Sequence, residues 1–215
     1  TLPAESIEAI WNEIMSASKA IQGSIDEIGY LGPEGTFTHQ AALDFFPKSG
    51  SKFTPCKSII EIFENIEKKK LHYGVIPIEN SLQGTVRETL DLLIEKNLII
   101  YGEIELKITQ NLIGLPESEI SELKKIYSHP QAFAQTRSWL KANLPNAKLI
   151  NANSTAEAVK LIKNKSDKEI GAIGTDFAAK FHNLKTLSSN IEDNPSNYTR
   201  FLIISNAENK IRKGK

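Results

Sequence analysis

The chain has little that would tie it to itself covalently, to a membrane or to a polyanion. Only one of its 215 residues is a cysteine, Cys56, which excludes an intrachain disulfide and suits a reducing compartment, so the cytoplasm is the expected location. Neither sign of charge is in excess. With 26 Lys and Arg against 26 Asp and Glu, no global field draws the chain to nucleic acid or an anionic membrane, and any bound anion must be held by local groups. Long apolar runs are missing too. Leu98 to Tyr101 and Phe201 to Ile204 fall far short of the ~20 residues that span a bilayer, so a soluble chain is expected. The first residues carry glutamates and a helical rhythm, not a basic start and an apolar run, so they do not read as a secretory signal. The four histidines, His39, His72, His129 and His182, show no metal-ligand spacing.

What is present is a core-forming chain, with 40% hydrophobic residues in a length that suits one large domain or two small lobes. Ile7, Ile10, Trp11, Ile14 and Ile21 recur at helical spacing after Pro3, predicting an amphipathic helix to Gln22. Strands and helices then alternate. Ile28 to Leu31 reads as a strand, Gly32-Pro33-Glu34-Gly35 as a turn and Thr38 to Phe46 as a helix. Ser58 with Glu61 is a capping box that opens a helix to about Lys69. Strands at Tyr73 to Pro77, Ile99 to Ile108 and Asn111 to Leu115 flank a helix from Val86 to Glu95. From Lys125 the alternation resumes: a strand to Tyr127, a helix Pro130 to Asn143, a strand near Leu149 and a helix from Ser154 with Glu157 as capping partner. Strands at Ile170 to Ile173 and Tyr198 to Ile204 enclose a short helix, Asp176 to Phe181, and a basic tail follows at 207–215.

This order implies an α/β fold with mostly parallel sheets. The change of rhythm near Leu106 suggests two lobes with a cleft between them. Lobe 1 is expected over about 25–106 and 185–206, lobe 2 over about 107–184, and the N-terminal helix over 1–24. Ligands of such sheets sit at the carboxyl ends of the strands.

Four loops carry small polar residues suited to an anion. Gly32 to Thr38 offers backbone donors and the hydroxyls of Thr36 and Thr38 at a helix start; a tight turn is its equally good structural explanation. Glu79, Asn80 and Ser81 follow an apolar strand. There Glu79 is read as bonding loop amides or, alternatively, as a proton-transfer group, and Asn80 or Ser81 is read alternatively as a cap for the next helix. Ser128-His129-Pro130-Gln131 is followed one turn later by Gln135, with Ser128 readable as an N-cap. Thr199, Arg200 and Phe201 open the last strand, where Thr199 and Arg200 should point to opposite faces.

In order and spacing, Tyr30-Leu31-Gly32-Pro33-Glu34-Gly35-Thr36-Phe37, Pro77-Ile78-Glu79-Asn80-Ser81, Ser128-His129-Pro130-Gln131-Ala132 and Thr199-Arg200-Phe201 resemble the prephenate dehydratase family. The resemblance covers Ile28 to Ser205. It implies two α/β lobes like those of type II periplasmic binding proteins, and conversion of prephenate to phenylpyruvate in phenylalanine biosynthesis with no cofactor and no metal. It also implies that Thr199 serves the departing hydroxyl, with Asn80, Ser128 and Gln135 as further catalytic positions. Thr36, Thr38, Ser81, Ser154 and Thr155 are expected to bind substrate. Arg200 either grips a carboxylate or supports the loops from behind, and Glu79 and Phe201 are structural. Arogenate dehydratase and a non-catalytic small-anion-binding module are the alternatives. The partner is the small-molecule substrate, with no nucleic acid and no membrane, and the expected assembly is a homodimer. Ile7, Ile10, Trp11, Ile14, Met15, Ser18 and Gln22 resemble the last helix of the chorismate mutase domain of bifunctional enzymes. One such helix forms no mutase site, and it is expected to pack on the dehydratase or pair two subunits. The ACT domain usual after the dehydratase, with its phenylalanine site, is expected to be missing.

Overall fold

In the computed structural model the described residues are 3–23 and 25–206. The expected basic tail at 207–215 lies outside them, as do residues 1, 2 and 24 of the expected N-terminal segment. The chain forms two compact units. Of the described residues, one holds 3–23, 25–32, Thr38–Leu106 and 199–206; the other holds Pro33–Phe37 and Lys107–Tyr198.

The first unit begins with helix α1, Ala4–Ile21. Its polar side does the docking. The Glu13 carboxylate accepts from the Lys48 amide at 2.9 Å and from the amide and hydroxyl of Ser49, and Ser16 Oγ donates to the Ser49 carbonyl at 3.0 Å. These bonds, the Ser49 hydroxyl foremost, hold the Glu13 carboxyl below the usual range. The apolar stripe faces outward, with Ile7, Ile10, Trp11 and Ile14 each more than half exposed. The 48–50 turn supplies the polar partners of the docking face.

Strands β1 (Asp26–Leu31), β2 (Ser51–Cys56) and β3 (Tyr73–Asn80) follow, with β4 (Gly84–Thr85), β5 (Ile99–Lys107) and a late strand, β11 (Tyr198–Ser205). Their order is β2-β1-β3-β11-β5, with β4 on the far end of β3. The pairs β1–β2 and β1–β3 are parallel, whereas β11 runs antiparallel to β3. Helices α2 (Phe37–Phe45), α3 (Ile59–Glu67) and α4 (Arg87–Glu95) accompany them. The cap of α3 is as expected: Ser58 accepts from the Glu61 amide at 3.2 Å. One face of the sheet gathers Ile76, Ile78, Leu202 and Ile204 against Ile59, Ile62, Phe63 and Ile66 of α3 and Leu92 of α4. Gly74 permits that approach, since a Cβ there would lie 2.3 Å from Ile62 Cγ2.

The second unit has β6 (Asn111–Gly114), β7 (Lys125–Ser128), β8 (Lys148–Asn151), β9 (Ile170–Gly174) and β10 (Lys185–Ser188), in the order β10-β6-β9-β7-β8. Successive residues feed opposite faces of this sheet. Ile113, Tyr127 and Ala172 pack with Val159 and Ile162, while Leu112, Ile126 and Ile173 pack with Ala132, Leu140 and Leu144. The helices are α5 (Pro130–Gln135), α6 (Arg137–Asn143), α7 (Thr155–Lys165) and α8 (Asp176–Phe181).

Three expectations are corrected by this architecture. Both sheets are mixed: β6 is antiparallel to β9 and to β10, while β7 is parallel to β8 and β9. The single helix expected over Pro130 to Asn143 is broken at Thr136, whose hydroxyl donates back to the Ala132 carbonyl at 2.8 Å. The chain does not return to the first unit near Lys185. Residues 185–188 instead add the edge strand β10 beside β6, and the crossover comes at Thr199.

Candidate functional site

In the first unit the three parallel strands end at Leu31, Cys56 and Asn80. Because β11 is antiparallel, its beginning lies at that same carboxyl edge, with Thr199 in register with Asn80 and Arg200 with Glu79. The motif residues at opposite ends of the sequence are thereby made neighbours. Asn80 Nδ2 donates to Thr199 Oγ1 at 2.8 Å. The Asn80 Oδ1 accepts from the Leu82 and Gln83 amides at 3.0 and 3.1 Å, so the carboxamide is fixed at both ends. It is a loop anchor, not a helix cap: α4 starts at Arg87 after Val86. Since the Thr199 oxygen already accepts a bond, its own proton is directed elsewhere. Thr199 is 9% exposed.

Thr199 is buried, Arg200 exposed and Phe201 buried, the alternation expected of a strand. Arg200 reaches two carboxylates, Glu103 at 3.5 Å and Glu79 at 3.9 Å, and all three side chains are about half exposed. Glu79 therefore does not bond loop amides as expected; its side chain leaves the sheet on the solvent side. Phe201 is 2% exposed and belongs to the core. Ser81 is exposed in the turn after β3, and Thr38 is buried in α2.

In the second unit the parallel strands β8, β7 and β9 lead at one edge into the starts of α7, α5 and α8. Ser154 caps α7, its Oγ accepting from the Glu157 amide at 3.0 Å, and Thr155 is the first helical residue. Ser128 ends β7 fully buried and donates to the Ile173 carbonyl at 2.8 Å. It does not cap α5. That role falls to His129, whose Nδ1 accepts from the Gln131 amide at 3.2 Å, because Pro130 takes the first helical position. Gln135 sits at the end of α5 and accepts at Oε1 from Gln110 Nε2 at 3.1 Å. Gln110 was not among the expected residues. The signal for it was a polar pair, Gln110-Asn111, opening a fully buried strand.

The segment Pro33–Phe37, which includes Thr36, also belongs to this unit. Gly35 has φ +87°, and a Cβ on it would lie 3.2 Å from that of Ala178. Its carbonyl accepts from Thr175 Oγ1 at 3.4 Å. Packing and backbone conformation thus suffice to explain this glycine. Among the described residues, no three His, Cys, Asp or Glu side chains group to hold a metal, and no helix is long and apolar enough to cross a membrane.

A family model described as prephenate dehydratase matches residues 28–209. The chain belongs to the prephenate dehydratase family. It is 42% identical to a bifunctional chorismate mutase/prephenate dehydratase of Aquifex aeolicus over 97% of its own length and 56% of that protein. A prephenate dehydratase of Methanocaldococcus jannaschii is 41% identical over 81% of this chain and 63% of that protein. Among solved structures, the prephenate dehydratase of Arthrobacter aurescens in complex with L-Phe superposes with a TM-score of 0.74 at 33% identity, covering 84% of this chain and 60% of that one. The chain thus spans little more than half the length of the bifunctional relative. Membership accounts for the paired α/β units, a fold shared by these dehydratase structures.

Proposed function

We propose that this chain catalyses the decarboxylating dehydration of prephenate to phenylpyruvate, a step of phenylalanine biosynthesis. The observation that carries the reading is the Asn80–Thr199 bond at the carboxyl edge of the first sheet. In the reaction, the bond to the ring carboxylate breaks and carbon dioxide leaves. Its electron pair enters the ring, the ring C–O bond breaks, and the departing oxygen takes up a proton to leave as water. A hydroxyl whose oxygen is occupied by an amide donor has its proton free to face that oxygen. Threonine is a weak acid, so Thr199 contributes by position and by relaying a proton from solvent.

The remaining roles follow the chemistry of each group. Within the second unit, Ser154 and Thr155 at the start of α7 offer neutral donors for the pyruvyl carboxylate. Gln135 serves as a further donor. Neutral groups suit the reaction, because a cation fixed on the carboxylate that departs would stabilise the ground state. Ser128, spent on the Ile173 carbonyl, acts by holding β7 against β9. Arg200, paired with Glu79 and Glu103 on the face opposite Thr199, supports the strand end and does not grip substrate. We assign residues 28–205 to the catalytic region, working as a homodimer in the cytoplasm.

The test is turnover of prephenate by the purified chain at neutral pH, followed as phenylpyruvate absorbance in alkali. Thr199→Ala is expected to lower kcat more than about tenfold with an unchanged melting temperature. Wild-type turnover in that variant removes Thr199 from the mechanism. Turnover of arogenate in preference to prephenate, or binding of prephenate without turnover, replaces the reading by one of its two alternatives.

A further inference from the structure

Gln110 lies immediately before β6 and is 4% exposed. Its backbone is held from both sides: the amide donates to Glu192 Oε2 at 2.9 Å, and the carbonyl accepts from the Ile191 amide at 2.8 Å. The side chain donates through Nε2 to Gln135 Oε1, while its own Oε1 is buried without a hydrogen-bond partner. A buried unpaired amide oxygen is destabilising, and an apolar residue of the same length would avoid the penalty. The stability of this unit therefore does not account for a glutamine here.

Gln135 is held by the same segment, its backbone carbonyl accepting from the Asp193 amide at 2.6 Å. A carboxamide has one donor end and one acceptor end. With its oxygen engaged by Gln110, Gln135 turns its NH2 end away from Gln110. Were Gln135 to donate to Gln110 instead, its oxygen would face outward. The partner thus decides which end Gln135 offers.

We infer that Gln110 is a positioning residue that sets Gln135 to offer its Nε2 donor to a carboxylate or carbonyl oxygen of the substrate. This rests on the dehydratase reading above. Gln110→Met tests it by keeping the length while removing both the donor and the unpaired oxygen. The expected melting temperature equals or exceeds that of the wild type, while kcat/KM for prephenate falls about tenfold. In a Gln135→Ala background the same change has no further effect on kcat/KM. Gln110→Asn, polar but too short to reach Gln135, is expected to lose activity equally and serves should the Met variant not fold.

Side-chain amide NMR reads the positioning without turnover. The Gln135 NH2 pair, assigned by its loss in Gln135→Ala, should be dispersed in the wild type and collapse toward free-glutamine positions in Gln110→Met. Unchanged kcat/KM, unchanged Gln135 signals or additive losses in the double variant overturn the inference. A wild-type chain idle on prephenate strikes the dehydratase reading, and the amide signals then decide the positioning by themselves.

Discussion

Asn80→Asp isolates one proton. The substitution keeps the shape of the side chain and the acceptor that receives the Leu82 and Gln83 amides at 3.0 and 3.1 Å, so the turn after β3 stays anchored. It replaces the Nδ2 donor, 2.8 Å from Thr199 Oγ1, with a second acceptor oxygen. The Thr199 proton then turns toward the carboxylate and is lost to the leaving group. A hydrogen bond to a charged group contributes ~1.5–3 kcal/mol, and releasing the proton requires breaking it. At 1.4 kcal/mol per factor of ten, that corresponds to a fall in kcat of roughly 10- to 150-fold. Prephenate turnover under saturating substrate measures it, and a thermal melt checks that the fold is intact. The double variant Asn80→Asp/Thr199→Ala should be no slower than Thr199→Ala alone, since both changes remove the same proton. Near-wild-type turnover in Asn80→Asp with an intact fold refutes the idea that this bond aims the hydroxyl.

Glu79→Gln is expected to change stability by less than about 1 kcal/mol, because its contact with Arg200 is a half-exposed pair at 3.9 Å; a chemical denaturation curve with a clearly lower midpoint would show that the carboxylate has a structural role the geometry does not give it. Gly74→Ala is expected to destabilise the first unit by ~1–3 kcal/mol, since its Cβ would meet Ile62 Cγ2 at 2.3 Å and Ile66 Cδ1 at 2.9 Å. An unaltered melting temperature would mean that α3 withdraws from the sheet without cost.

Many elements are legible from local signals in the amino-acid sequence. The capping pairs Ser58/Glu61 and Ser154/Glu157 have one dominant reading each, because the bond is made within one turn, and both helices begin where expected. The apolar strand Tyr198 to Ile204 is legible from its own run of apolar residues, and its residues alternate in burial at Thr199, Arg200 and Phe201. The short edge strand β10 is not, since Lys185–Ser188 carries no apolar run and depends on its pairing with β6. Nor is the break in the helix after Pro130, which falls at Thr136, a residue whose hydroxyl donates to the Ala132 carbonyl.

The candidate site divides along the same line. Sequence names Asn80, Ser128, Gln135 and Thr199 from three separated motifs, and the family follows from the order of these and the Tyr30–Phe37 motif. It does not say what each side chain is bonded to, because those partners are distant along the chain: Asn80 with Thr199, Ser128 with Ile173 and Gln110 with Gln135. The antiparallel entry of β11 beside β3 makes Thr199 and Asn80 neighbours. Direction of a strand in a sheet is decided by which partner buries its faces, and a chain read residue by residue holds no local trace of that choice. Residue type and order thus determined the family; tertiary pairing decided which distant side chains are bonded to one another, Asn80 to Thr199 and Gln110 to Gln135.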